Sequence, residues 1–174
     1  ITYFSTAASM AVATDGLSAD AVSLLERNGH EVLIKYFTSD ELNSGVLSDF
    51  DGVIVRSATK LNAKVIAASE GLRVIARAGV GVDNIDLDAA GNAGIPVVNA
   101  PIASTQSVVE LTIAHLLTSV RKVAISDRSM RQGKWEKKAM KGSELHGKNL
   151  GLVGFGRIAQ GVGAVPRRAE VLTV

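Results

Sequence analysis

Cysteine is absent from this 174-residue sequence, which removes disulfides, thiolate catalysis and cysteine-ligated zinc. Histidine is almost as scarce. His30, His115 and His146 lie far apart with no metal-ligand spacing, so no metal is expected. Neither His115, near the apolar stripe of a helix, nor His30, just after a glycine stop, reads as a catalytic base. Long hydrophobic runs are also missing, since charged and polar residues interrupt every stretch before the ~18 residues that a membrane span needs. The apolar opening does end in Ala11-Val12-Ala13, which looks like a leader cleavage site. It has no basic n-region, however, and cleavage there would cut the first strand, so a cytoplasmic protein without a leader is expected. An excess of one charge is lacking too: the formal net charge is +2, and Lys and Arg are scattered rather than gathered into a stripe. No nucleic-acid partner is expected.

What is present is apolar material, 47% of the chain, enough for one good core or two small ones. Short apolar runs alternate with helical segments, the signature of an α/β protein. Met10–Thr14 reads as a strand, Ser18 as the cap of a helix carrying Ala21, Val22, Leu24 and Leu25, and Gly29 as its stop. Further strands are expected at Glu31–Tyr36, Gly52–Val55, Arg73–Ala76 and Pro96–Val98, with short helices capped by Asn62 and Asp86 between them. Continuous Val and Ile runs suit a parallel sheet covered on both faces, so the first hundred residues read as one doubly wound unit.

Ser107 with Glu110 three residues later has the spacing of a capping box, opening a long helix with an apolar stripe of Val108, Leu111, Ala114 and Leu117, with Ile113 and Leu116 beside them. A second helical stretch runs to about Gln132. The lysine-rich segment Lys134–Lys148 has no clear period and reads as an exposed arm, in which Trp135 is either a core anchor or a contact to a second subunit.

The strand Asn149–Val153 then runs straight into Gly154-Phe155-Gly156-Arg157-Ile158-Ala159, a G-x-G-x-x-A pattern between a strand and a helix. In a dinucleotide site Gly154 permits the tight turn, Gly156 lets backbone approach a pyrophosphate, and Ala159 lets the helix pack closely. Phosphates would then meet the free N–H groups of the helix N-terminus. The same glycines also suit a plain strand-to-helix turn. The acid that would select NAD over NADP is expected after the strand Glu170–Val174 and is not visible here.

Several segments together resemble the D-isomer-specific 2-hydroxyacid dehydrogenases. They are Val55–Lys60, Arg77–Asp86, Val98–Pro101, Ser107–Leu111, Gly133–Glu136 and Glu144–Ile158, in matching order and spacing over roughly residues 10–165. The resemblance implies a flavodoxin-like substrate-binding domain over residues 1–100, followed by the start of a Rossmann NAD-binding domain over 101–174, with the active site in the cleft between them. It implies that Arg56 and Ser57 hold a small anionic 2-hydroxy acid, that Gly79, Val80 and Gly81 meet its carboxylate through their backbone, and that Val80 also lies against the nicotinamide. Gly154, Gly156, Arg157, Ile158 and Ala159 would cradle the pyrophosphate of NAD, and the complete enzyme would be a homodimer. Read alone, Arg56 is a surface arginine and Gly79 and Gly81 serve a turn. No residue matches the arginine, glutamate and histidine that do the chemistry in this family, so no catalytic residue is assigned and the chain alone is expected to be inactive. Gly161, Gly163 and Pro166 fall within the helix after the glycine turn and predict that it is short or broken. An alternative on the same fold is a non-catalytic NAD(H) sensor resembling a corepressor.

Overall fold

A computed structural model describes residues 9–165 and 170–173. The chain divides after Ile102 into two compact units. The first contains β1 (Ser9–Ala13), α1 (Ala19–Arg27), β2 (His30–Ile34), α2 (Ser39–Asn43), a 3-10 turn (Val46–Asp49), β3 (Gly52–Val55), α3 (Ala63–Ala67), β4 (Val74–Arg77), α4 (Leu87–Asn92) and β5 (Val97–Asn99). All five strands pair in parallel in the order β2-β1-β3-β4-β5. This is the flavodoxin-like doubly wound arrangement. Val12, Val53, Val55 and Ile75 from the three central strands are fully buried, and Leu61 and Val65 pack against them. Gly52–Val55 is therefore a strand covered on both sides, as its composition predicts, whereas the outer strands leave Leu33, Ile34 and Val98 exposed.

Helix starts follow local chemistry. The side chains of Ser18, Asn62 and Asp86 accept hydrogen bonds from the backbone N–H groups of Ala21, Val65 and Ala89. Helix α2 is absent from the sequence reading, although Thr38-x-x-Glu41 carries its signal. The Thr38 hydroxyl accepts from Glu41 N at 3.3 Å, and the Glu41 carboxylate accepts from Thr38 N at 2.7 Å, a complete capping box.

The second unit contains α5 (Thr105–Val120), α6 (Val123–Arg131), β6 (Asn149–Leu152), α7 (Arg157–Ala164) and β7 (Glu170–Thr173), with β6 and β7 parallel. Two expectations need correction here. Ser107 does not cap α5: the helix begins two residues earlier at Thr105, Ser104 is its cap, and Glu110 accepts instead from Gln106 Nε2 at 2.8 Å within the helix. The covered face is also shifted. It runs through Val109, Ile113, Leu116 and Val120, whereas Leu111 and Leu117 are exposed. The helix is apolar on most of its circumference, so periodicity alone does not select the face; α7 does. A Cβ placed on Gly161 of α7 would lie 2.6 Å from Cγ2 of the buried Val109.

Gly161 thus sets how closely α7 approaches α5, which explains a residue that weakens the helix intrinsically. The helix is eight residues long, as its glycines predict, and Pro166 lies outside the described residues. Substituting Gly161 by Ala gains about 1 kcal/mol of helix propensity but overpacks a stiff β-branched neighbour, at a cost of about 1–3 kcal/mol. The expected result is a lower Tm, measured by thermal unfolding. A raised Tm would contradict the packing role.

Between α6 and β6 no regular element forms. The segment is nevertheless tied down, because Ser143 N donates to Val120 O at 2.9 Å and Lys122 Nζ donates to Ala139 O at 3.1 Å. Trp135 is 77% exposed, so it anchors no core in this unit. No helix of the described residues is long and apolar enough to cross a membrane.

Candidate functional site

In an open parallel sheet, ligands bind beyond the carboxyl ends of the strands where the winding reverses. In the first unit that point lies between β1 and β3. The register Val55↔Arg77 then sets the residues after β4 beside those after β3. Arg56 and Ser57 therefore stand beside Ala78 and Gly79 at one end of the sheet, and Ala78 N donates to Val55 O at 2.9 Å. The side chains of Arg56 and Ser57 are exposed. Of the residues that the resemblance implies for the substrate, all five lie at this end.

The loop after β3 is held by a residue absent from the sequence reading. Asp15, two positions beyond β1, accepts from Arg56 N at 2.7 Å, from Thr59 N at 3.1 and 3.2 Å, and from Thr59 Oγ1 at 2.6 Å. Burial pushes the Asp15 carboxyl up, but hydrogen bonds from the Thr59 side chain and from the backbone of Thr59, Arg56 and Ala58 outweigh it and hold it below the ordinary carboxylate range. Asn84 grips the opposite polarity of the same loop, donating from Nδ2 to Arg56 O at 2.8 Å and to Thr59 O at 2.7 Å.

The loop after β4 is fixed as well. Ala100 N donates to Gly79 O at 2.9 Å and Asn99 Nδ2 to Val80 O at 2.7 Å. The Arg77 guanidinium occupies the place a Cβ on Gly79 would take, and it donates from Nη1 to Ala78 O at 3.0 Å. A Cβ on Gly81 would meet Asp83 Oδ1 at 3.1 Å. A side chain at Gly79 would have to displace the Arg77 guanidinium, and one at Gly81 only the exposed end of Asp83. Val80 is partly exposed at 41%.

In the second unit Gly154 follows β6 with φ +87°, a left-handed conformation that favours glycine. Gly156 caps α7 with φ −75° and ψ −175°, which any residue adopts, and a Cβ there would meet nothing within 4 Å. Among the described residues, neither backbone conformation nor packing requires glycine at position 156. What a side chain would fill is open space in front of the helix N-terminus, toward which the first-turn amides of α7 point. Arg157 and Ile158 are exposed in that first turn, and Ala159 is half-buried. Gln160 Nε2 donates to Phe155 O at 3.0 Å and braces the turn. The residues present therefore fit a pyrophosphate approaching the backbone. A second close approach of this helix is at Gly161, against Val109 of α5.

Comparison with known proteins adds the following. Residues 11–170 match the family described as D-isomer specific 2-hydroxyacid dehydrogenase, catalytic domain. The D-3-phosphoglycerate dehydrogenase of Methanocaldococcus jannaschii is 47% identical over 149 residues, covering 86% of this chain and 28% of that protein. The hydroxypyruvate reductase of Thermotoga maritima is 46% identical over 149 residues, covering 85% of this chain and 48% of that protein. The crystal structure of NAD+-bound 3-phosphoglycerate dehydrogenase from Entamoeba histolytica superposes with a TM-score of 0.74 at 30% identity, covering 97% of this chain and 54% of that one. The chain thus spans between about a quarter and about half of the length of these relatives.

Proposed function

The chain belongs to the D-isomer-specific 2-hydroxyacid dehydrogenase family, and from that premise we propose that the protein carrying it is an NAD-dependent dehydrogenase of an R-configured 2-hydroxy acid, D-3-phosphoglycerate in the first instance, serving serine biosynthesis. The observation that carries the cofactor half of this reading is Gly156: an ordinary backbone conformation, no neighbour within 4 Å of a Cβ, and a helix N-terminus behind it. The relatives' names support the substrate half.

In this reading the first unit is the substrate-binding domain. Arg56 supplies a forked cation to the anionic substrate, Ser57 a hydroxyl, and the backbone of Gly79, Val80 and Gly81 meets the carboxylate. The second unit opens the cofactor domain, with Gly154, Gly156, Arg157, Ile158 and Ala159 around the pyrophosphate. Bound there, NAD would supply the hydride acceptor for oxidation of the carbinol carbon. No catalytic acid or base is assigned within these 174 residues. A homodimer belongs to the same proposal, supported by the exposed Leu111, Leu117 and Trp135 of the second unit.

The test is spectrophotometric. The full-length protein is expected to form NADH when given NAD and D-3-phosphoglycerate, and the 174-residue polypeptide alone to show no turnover. A full-length protein that binds NADH yet turns over no 2-hydroxy acid would be a sensor rather than an enzyme.

A further inference from the structure

The backbone hydrogen bonds of Arg56 and Thr59 go to two side chains from distant parts of the sequence, and to no strand. Asp15 takes the N–H groups of both residues and the Thr59 hydroxyl, and Asn84 gives its two amide hydrogens to both carbonyls. Leu61 N in turn donates to Asn84 O at 2.9 Å, and Asp86 N to Leu61 O at 2.8 Å, which anchors Asn84 through a short bridge between Leu61 and Ile85. Thr59 is buried whereas Arg56, Ser57 and Ala58 are exposed. One end of the loop is therefore sunk and clamped, and its exposed stretch is held by its backbone rather than by packing.

We propose that Asp15 and Asn84 are positioning residues for substrate capture: together they clasp residues 56–59 from both polarities and so set the direction in which Arg56 and Ser57 meet the anionic substrate. This rests on the dehydrogenase reading, in which Arg56 anchors the acid. The clasp depends on an acceptor facing N–H groups and a donor facing carbonyls. Asp15→Asn keeps the size but sets an amide donor against the N–H of Arg56 or Thr59. Asn84→Ala leaves both carbonyls without their donor. Small displacements of a substrate-positioning group cost large factors in binding.

The experiment is a double-mutant cycle in the full-length protein, reading the KM for D-3-phosphoglycerate, the NADH affinity and the Tm. Asp15→Asn is expected to raise KM about tenfold with NADH affinity held within about twofold. The decisive arm is the Arg56→Ala background, where the Asp15→Asn effect on KM is expected to shrink to the smaller part carried by Ser57, because residues acting through one another are non-additive. If Asp15→Asn lowers Tm and leaves KM unchanged, or raises KM equally in both backgrounds, the positioning role is overturned and the clasp is only structural. If Asp15→Asn does not fold, the same cycle with Asn84→Ala decides by the same criteria. An Arg56→Ala protein with unchanged KM would instead sink the substrate-anchor reading itself, and the positioning proposal with it.

Discussion

Arg56→Ala in the full-length protein is expected to raise the KM for D-3-phosphoglycerate roughly 10- to 150-fold while leaving NADH affinity nearly unchanged. The magnitude follows from a charge-assisted hydrogen bond to an anion, worth about 1.5–3 kcal/mol where it is made in a sheltered site. Two features set the expectation toward substrate and away from cofactor. Arg56 belongs to the end of the first unit's sheet, next to Ala78 and Gly79, and the glycine turn belongs to the second unit. Its backbone is also fixed by Asp15 and Asn84, so the exposed guanidinium starts from a defined base and loses less entropy on binding. Arg56→Lys should recover only part of the loss, because a point charge cannot replace the planar fork. Steady-state kinetics with both substrates varied separates the outcomes: an unchanged KM for the acid, or an equal loss of NADH affinity, would remove Arg56 from the substrate site.

The doubly wound unit is legible because its strands are short apolar runs, rich in Val and Ile at β3, β4 and β5, and three of its helices start at a residue whose cap the structure shows. Gly52–Val55 is a strand at the expected residues, and Asn62 and Asp86 cap the helices assigned to them. Apolar excess hides the covered face of α5. With Val108, Val109, Leu111, Ile113, Leu116 and Leu117 all in α5, several stripes satisfy a 3.6 period, and only the packing of Gly161 on Val109 decides between them. The capping box at Ser107 had the correct spacing but stood inside a helix that starts at Thr105, so the motif lacked its context.

Of the candidate site, the loops were visible and their supports were not. Gly154 and Gly156 announce themselves by local pattern, and the family resemblance alone marks Arg56 and Gly79. Asp15 meets its partners across more than 40 residues of sequence, and a lone Asp between a strand and a helix cap carries no sign of such a contact. Asn84 lies inside the recognised segment Arg77–Asp86, but nothing local says that its amide reaches two carbonyls of another loop. Side-chain clasps of this kind depend on the strand order, which fixes which loops become neighbours.

If the glycine turn of the second unit is a dinucleotide site, Gly156→Ala separates its loss from loss of the fold. The backbone at Gly156 suits any residue and its surroundings are open, so alanine there costs the fold little and restricts the unfolded chain, a stabilisation of about 0.4–1 kcal/mol. Gly154 is different: at φ +87° an alanine is strained, and its loss of binding would be confounded with loss of fold. At position 156 stability and binding therefore move independently. A Cβ would occupy the space that the phosphate oxygens need, which we expect to weaken NADH binding about 100-fold or more, because phosphate binding at a helix N-terminus requires the backbone amides to be approached closely. The measurement is a fluorescence titration of NADH against full-length wild-type and Gly156→Ala protein, each first checked for its fold by circular dichroism and thermal unfolding. The expected result is a Tm equal to or slightly above wild type with NADH binding lost, and a well-folded variant that binds NADH with wild-type affinity would rule out a dinucleotide site at this turn.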